Sequence, residues 1–474
     1  MLVPNTRIER KVEGFKLITR KLAAFTAALD YRDLPAATVE TAKRLLLDGL
    51  GCLLAGTAGN MGRCAARMVH LLGGAPHAAV FADGTRNSVV NAAFVNGITL
   101  YSVGLNDFLQ RAGAHPGACI IPTVLAMGEW QRSRGTALIA AMTAGYEIID
   151  RIGRTIMPSH RERGFHPTGT CGTFGATAAA GKLLGLDADH IACAFGIAGS
   201  QAAGLYEYIN DGTSTIMFHA GRAAKNGVEA ALLTQAGLTG PATVFEGTRG
   251  FFHATADVVN LDAALQDLSK RYALHETTFR PYFGCTSTIA ASGATAQLMR
   301  RIGEARLASV EQVIVCCNPV VAKDNAETDP RTLLAARLSL PFNVALVLAR
   351  GDVLTGDLEE RDLTDTRIRS LLPLVRMVSD ASIPRFGSTV QLHFKGGTVE
   401  EVAMHSWRGD AQDSLPWEEV VTKFRRLVSP VVAKPDQDRI IELIAHIDAT
   451  EVPALVQALS TAVANGRAHL NSVT

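Results

Sequence analysis

The chain has 474 residues, 47% of them hydrophobic, and carries 46 Lys plus Arg against 45 Asp plus Glu for a net charge of +1. That length exceeds a single small module and suits two or three units with substantial cores, while the balanced charge offers no field for a polyanion and argues against nucleic acid as a partner. Eight cysteines (Cys52, Cys64, Cys119, Cys171, Cys193, Cys285, Cys316 and Cys317) are scattered without a CxxC pair, as expected of reduced, mostly buried thiols in a cytoplasmic protein.

The opening segment MLVPNTRIERKVEGFKLITRK is charged from Arg7 onward and has no apolar signal core, and Glu9 and Glu13 argue against a transit peptide. From about residue 20 to 270 the pattern is helical. VETAKRLLLDGLGCLLAG places Val39, Ala42, Leu46, Leu50 and Leu53 at three- and four-residue spacing, with Gly56 as the stop. The uncharged stretch Asn87 to Asn106 has the length of a membrane span, but its four asparagines, two serines and two glycines predict a buried helix instead. Further helices are predicted at CIIPTVLAMGEWQRS, TALIAAMTAGYEIIDRIGR, DADHIACAFGIAGSQAAG (N-capped by Asp187) and AAKNGVEAALLTQAGL.

RGFHPTGTCGTFGATAAAGKLLGL poses a choice between a phosphate cradle and a packing helix. Gly169, Gly172, Gly175 and Gly181 fit neither GxGxxG nor GxxxxGK[ST], no strand precedes them, and Lys182 is followed by leucine. A helix starting near Thr168 to Thr170 is the better reading. His166 and Pro167 then stand at its mouth, where the positive dipole end favours a carboxylate and lowers a histidine pKa.

Past residue 270 the character changes. VEQVIVCCNPVV reads as a strand, STVQLHFKGGTVEEVAMHSW as a hairpin with a two-glycine turn, and TLLAARLSLPFNVALVLARGD and DTRIRSLLPLVRMV as helices. PWEEVVTKFRRLV and VPALVQALSTAVANG return to amphipathic helix. The expected fold is therefore mostly α with an inserted α+β domain: a multihelical domain over 1–270 and 410–474, and an α+β lid over 271–409.

Three histidines lie beside Gly, Pro or Ala in predicted loops or helix starts: His115, His166 and His219. Each alone reads more readily as a capping or core residue than as a catalytic one, but two His-Pro pairs and a His-x-Gly ahead of helices mark places where sites accumulate, and taken together they make one catalytic histidine as ready a reading as none. Asp107, eight residues before His115, either orients that imidazole through its carboxylate or, with Asn106, caps a helix. Cys285 precedes a helix and is either an activated thiol or a small packing residue. Arg280 and Tyr282 offer a carboxylate fork and a phenolic proton donor. The sequence has no HExxH and no His/Cys pair at ligand spacing, so no metal site is expected.

At these residues the chain resembles the MmgE/PrpD family, through LLLDGLGCLLAG, NAAFVNG, HPGACIIPTVLA, GYEIIDRIG, FHPTGTCGTFGATAAAGKLLGL, FHAGRAAKNGVEAALLTQAGLTGP, RPYFGCTST, SLPFNVALVLARGDV and RGDAQDSLPWEEVVTKFRRL. The resemblance implies a two-domain fold and a homodimer, with an active site between the domains that uses no metal or organic cofactor. It also implies chemistry like that of 2-methylcitrate dehydratase, cis-aconitate decarboxylase or iminodisuccinate epimerase. It gives His115 and His166 acid/base or carboxylate-binding roles and matches Asp107 to the second acid of a DF(D/N)D run whose first acid is replaced by Gly104. It sets Ile216 and Met217 where the decarboxylase-like members have a lysine, Arg280 for another lysine and Cys285 for a histidine.

These departures predict a less polar cleft and a substrate with fewer carboxylates or more apolar surface than methylcitrate or cis-aconitate. The expected activity is a cofactor-independent lyase or isomerase that abstracts a proton next to a carboxylate or carbonyl. An intramolecular cyclase or double-bond isomerase, and a non-catalytic binding or assembly protein, are the alternatives.

Overall fold

The computed structural model describes residues 17–281, 283–351, 358 and 360–473. Tyr282, the phenol named above, lies outside the described residues, as does the charged opening segment up to residue 16.

At the centre stands the helix Pro167–Leu183, in which every residue from Pro167 to Gly181 is buried. It packs against helices Pro116–Trp130, Gly135–Ile156 and Thr215–Gln235. Its composition explains the position, because an Ala/Gly/Thr helix with no charge before Lys182 has no polar face to turn outward. Gly145 and Gly175 mark one close approach: a Cβ on Gly175 would stand 2.7 Å from the Gly145 carbonyl oxygen. The glycines that resembled a phosphate cradle thus serve helix packing. The stretch 87–106 forms the buried helix Val89–Ser102, and among the described residues no helix is long and apolar enough to cross a membrane.

Two cores divide the molecule. The larger gathers side chains from Ile18 to Phe279 and again from Leu415 to Val463, joined by Leu334. The smaller runs from Phe283 to Val402. The changeover therefore falls a few residues inside the boundaries drawn from sequence, since Tyr272, Ala273, Leu274 and Phe279 still belong to the helical body.

In the smaller unit a four-stranded sheet has the spatial order Val375–Ser379, Val310–Cys317, Ser388–Phe394, Val399–Met404. The first pair is parallel and the others antiparallel. Gly396 and Gly397, with φ of 102° and 85°, make the hairpin turn expected of them.

Two helices expected here are altered. LVRMV is a strand, not the end of a helix: Pro373 closes the helix Thr366–Leu371, and Val375–Ser379 then pairs with Val310–Cys317. TLLAARLSLPFNVALVLARGD breaks at Ser339 into Leu333–Leu338 and Leu340–Arg350, with the Ser339 hydroxyl capping the second. After the sheet, Trp417–Val428 and Val452–Val473 return to the helical body as expected, joined by a third helix, Lys434–Ala445, that the sequence reading did not single out. Lys423 on the first of these makes a buried ion pair with Asp48 at 2.5 Å and donates to the Leu105 carbonyl at 2.7 Å.

Candidate active site

Between the two units lies a cleft of about 1490 Å³. His115 and His166 both line it, each as the N-cap residue of a helix whose first residue is proline. Proline suits that position because the amide it lacks would have no helical partner there. The two helix starts are tied together: the His115 backbone N–H donates to the Thr168 hydroxyl at 3.1 Å. Both positive helix ends therefore open on the same space.

His115 Nδ1 lies 2.7 Å from the Asp107 carbonyl oxygen. A carbonyl can only accept, so Nδ1 carries the proton and Nε2 keeps its lone pair. Tyr101 and Phe108 pack on the ring at centroid distances of 5.1 and 4.9 Å. Burial first, and then the Arg280 charge, hold its pKa well below the ordinary 6.5, so the imidazole is neutral at neutral pH.

His166 meets His219 with their Nδ1 atoms 3.0 Å apart, so one ring donates and the other accepts. The pKa of His166 lies well below 6.5 through burial and then the His219 and His115 charges, and burial alone lowers His219 to about 4. Tyr206 and Tyr208 stand edge-on to His166, with centroids 5.8 and 5.2 Å away.

The carboxylate of Asp107 does not orient His115. It accepts from the Gly117 N–H at 3.1 Å through each oxygen and from the Tyr146 hydroxyl at 2.7 Å. It is thus a remote cap on the helix that His115 opens, while its main chain, not its side chain, fixes the imidazole. Burial raises this acid to about 6 against the hydrogen bonds from Tyr146 and Gly117.

Arg280 and Cys285 line the cleft. The Arg280 guanidinium is anchored on the carbonyls of Asn106, at 2.7 Å, and of Gly104. Cys285 caps the helix Thr286–Leu307 and its Sγ lies 3.4 Å from Asn325 Nδ2. Ile216 reaches the cleft, but Met217, Asn106 and His219 are not among its lining residues. Met217 packs into the helical core, Asn106 is fully buried with only its carbonyl turned to Arg280, and His219 stands behind His166. Nor does His219 precede its helix: Thr215–Gln235 starts four residues earlier.

Cations outnumber acids along the cleft. Arg111, Arg161, Arg163, Arg280, Lys323, Arg337 and Arg385 line it, against Glu162, Glu207 and Asp324. The expectation of a cleft less polar than that of the family's tricarboxylate enzymes followed single motif positions; Arg280 belongs to one of those motifs, and the other six cations come from segments outside them. Arg161 spans the gap, donating to Asp324 on the smaller unit at 2.8 Å and to the Tyr206 hydroxyl at 3.2 Å. Besides Arg280, Arg337 left a trace in the sequence, as a lone charge in the apolar run AARLSLPF. Among the described residues no cluster of three or more His, Cys, Asp or Glu could hold a metal ion.

The MmgE/PrpD N-terminal domain matches residues 20–263 and the MmgE/PrpD C-terminal domain residues 282–449. The chain belongs to the MmgE/PrpD family, and it is an enzyme of lyase type. Its relatives include a cis-aconitate decarboxylase-like protein of Aspergillus oryzae, 27% identical over 93% of this chain and 97% of that one. The human cis-aconitate decarboxylase is 25% identical over 92% and 93%, and that of Aspergillus terreus 24% identical over 94% and 96%.

Proposed function

We propose that the chain is a decarboxylase- or dehydratase-like lyase acting on a small polycarboxylate in this cleft, with His115 and His166 as its proton-transfer groups. The observation that carries the reading is the fixed tautomer of His115. With Nδ1–H held by a main-chain carbonyl, Nε2 is a neutral, unprotonated base at the mouth of a cationic cavity. His166 supplies the complementary acid: when His219 donates across their 3.0 Å contact, His166 presents Nε2–H to the substrate. His115 then takes a proton from a carbon next to a carboxylate, and the electron pair left there expels water protonated by His166. In the decarboxylating variant the electrons of the breaking C–C bond form a new double bond to the adjacent alkene carbon, the old π pair shifts to the far alkene carbon, and that carbon takes the proton from His166 as CO₂ leaves. Paired guanidiniums and two helix N-termini hold the carboxylates while charge shifts between carbons.

The three relatives' names make cis-aconitate the first substrate to test. Loss of substrate and release of CO₂, followed by NMR, measure it. Exchange of His115 or His166 for alanine lowers kcat by about 10²–10⁴ with an unchanged melting midpoint. Full turnover by both variants, or no conversion of any tricarboxylate by the wild type, refutes the reading. A homodimer in the cytoplasm belongs to the same proposal, and light scattering at twice the 50.3 kDa chain mass tests the dimer.

A further inference from the structure

Arg337 is a half-buried charge in the cleft whose guanidinium faces no carboxylate among the described residues. Among the described residues its Nη atoms reach only the Ser102 carbonyl, at 3.4 and 3.3 Å, and its buried Nε has no partner. It packs against Phe283, its guanidinium carbon 5.7 Å from the ring centroid. Its strongest charged neighbour is another cation, Arg280. A guanidinium has five N–H donors, and two of them near each other out of bulk water, with no carboxylate between, repel unless an anion joins them.

The backbone opposite is shaped to admit this side chain. Gly104, at φ 70°, lies so close that a Cβ there would fall 2.1 Å from an Arg337 Nη and 2.5 Å from its central carbon. Any larger residue at 104 displaces the guanidinium, and an acidic one neutralises it. The Arg337 carbonyl accepts from the Cys285 N–H at 3.0 Å, which fixes the start of the Thr286–Leu307 helix beside it.

We propose that Arg337 is a specificity-determining residue that, with Arg280, binds one carboxylate of a tricarboxylate substrate, and that Gly104 leaves the space this requires. This deepens the proposed function and rests on its cleft, but not on its reaction. Arg280 is held rigidly by two carbonyls and gives the fixed half of the fork; Arg337, with long hydrogen bonds and an unpaired Nε, gives the half that an anion completes.

The test is calorimetric binding of tricarballylate and glutarate to the full chain, because neither saturated acid can be turned over. Wild type binds the tricarboxylate more tightly than the dicarboxylate. Arg337→Gln weakens tricarballylate by about tenfold to a hundredfold and leaves glutarate little changed, while Arg337→Lys recovers part of the loss. Gly104→Asp, a residue type that tolerates positive φ, reproduces the Arg337→Gln loss with Arg337 intact, so the result does not hang on one variant. Equal weakening of both ligands, no weakening in either variant, or no preference in the wild type overturns the assignment. Turnover of cis-aconitate is scored separately: selective binding loss in an enzyme inert toward it sinks the reaction and leaves Arg337 standing, and the converse result does the opposite.

Discussion

Replacing Asp107 by asparagine separates two ways of holding a catalytic imidazole. The Asp107 carboxylate is 3% exposed and receives the Gly117 N–H and the Tyr146 hydroxyl, yet burial keeps it near a pKa of about 6. Its folded pKa is raised, so the folded state binds the proton more tightly than the unfolded chain and stability falls as pH rises from about 4 through 6. The shift from the ordinary 3.8 to about 6 corresponds to about 3 kcal/mol of destabilisation at neutral pH. Asparagine keeps the shape and an acceptor for Gly117 but cannot ionise. The stability difference, Asp107→Asn minus wild type, therefore grows by up to about 3 kcal/mol in the variant's favour between pH 4 and pH 7, read by calorimetric melting across that range. Activity should respond little: the group on His115 Nδ1 is the residue-107 carbonyl, which the variant retains, so kcat stays within about tenfold. A carboxylate that itself held the imidazole tautomer would bring a loss nearer 10⁴-fold. A loss of that size in a normally melting variant, or a stability difference that does not move with pH, refutes the geometry.

Other consequences are open to measurement. Because His115, His166 and His219 all have folded pKa values below 6.5, the acid limb of kcat/KM lies below pH 6.5, and activity is flat from pH 8 to 7; an acid limb centred above pH 7 contradicts this. His160, lowered by burial to about 4 and bonded to Thr170 and the Thr255 carbonyl, stabilises the fold above pH 6.5. That contribution, about 3 kcal/mol, is lost as pH falls toward 4, and a His160→Gln variant should show a correspondingly shallower melting-temperature decline over that window. Lys423→Met leaves Asp48 buried without its partner and should destabilise by roughly 3–5 kcal/mol, whereas the double change with Asp48→Leu should recover most of it; equal damage in both variants argues against the pair.

The helical body was legible because its signals are local and repeated. Apolar spacing, the Asp187 cap and the His-Pro boundary each name an element without tertiary information, and Asp187 does accept from the His190 N–H at 2.9 Å. LVRMV was misread because its neighbours in sequence are helical, while the partner that makes it a strand, Val313 to Cys317, is about sixty residues away. In the site, His115, His166, Arg280 and Cys285 came from motifs. Asp107 stood between two readings, and its carboxylate makes the helix cap, on the Gly117 N–H, while its carbonyl holds the imidazole; spacing cannot divide the two jobs between a carboxylate and the carbonyl of the same residue. Arg161 and Arg385 had no sequence signal at all. Their importance arises only where the two units face each other.

Apart from Leu334, the polypeptide leaves the larger core after Phe279 and rejoins it at Leu415. During synthesis, the smaller core has every one of its side chains available before Phe424, Leu455 or Leu459 has been made, and those are needed to close the larger one. The first-made helices must wait for the last-made ones. A chain cut anywhere between the two matched family domains also severs Lys423 from Asp48, so the pieces named by sequence comparison divide a buried ion pair and the larger core between them.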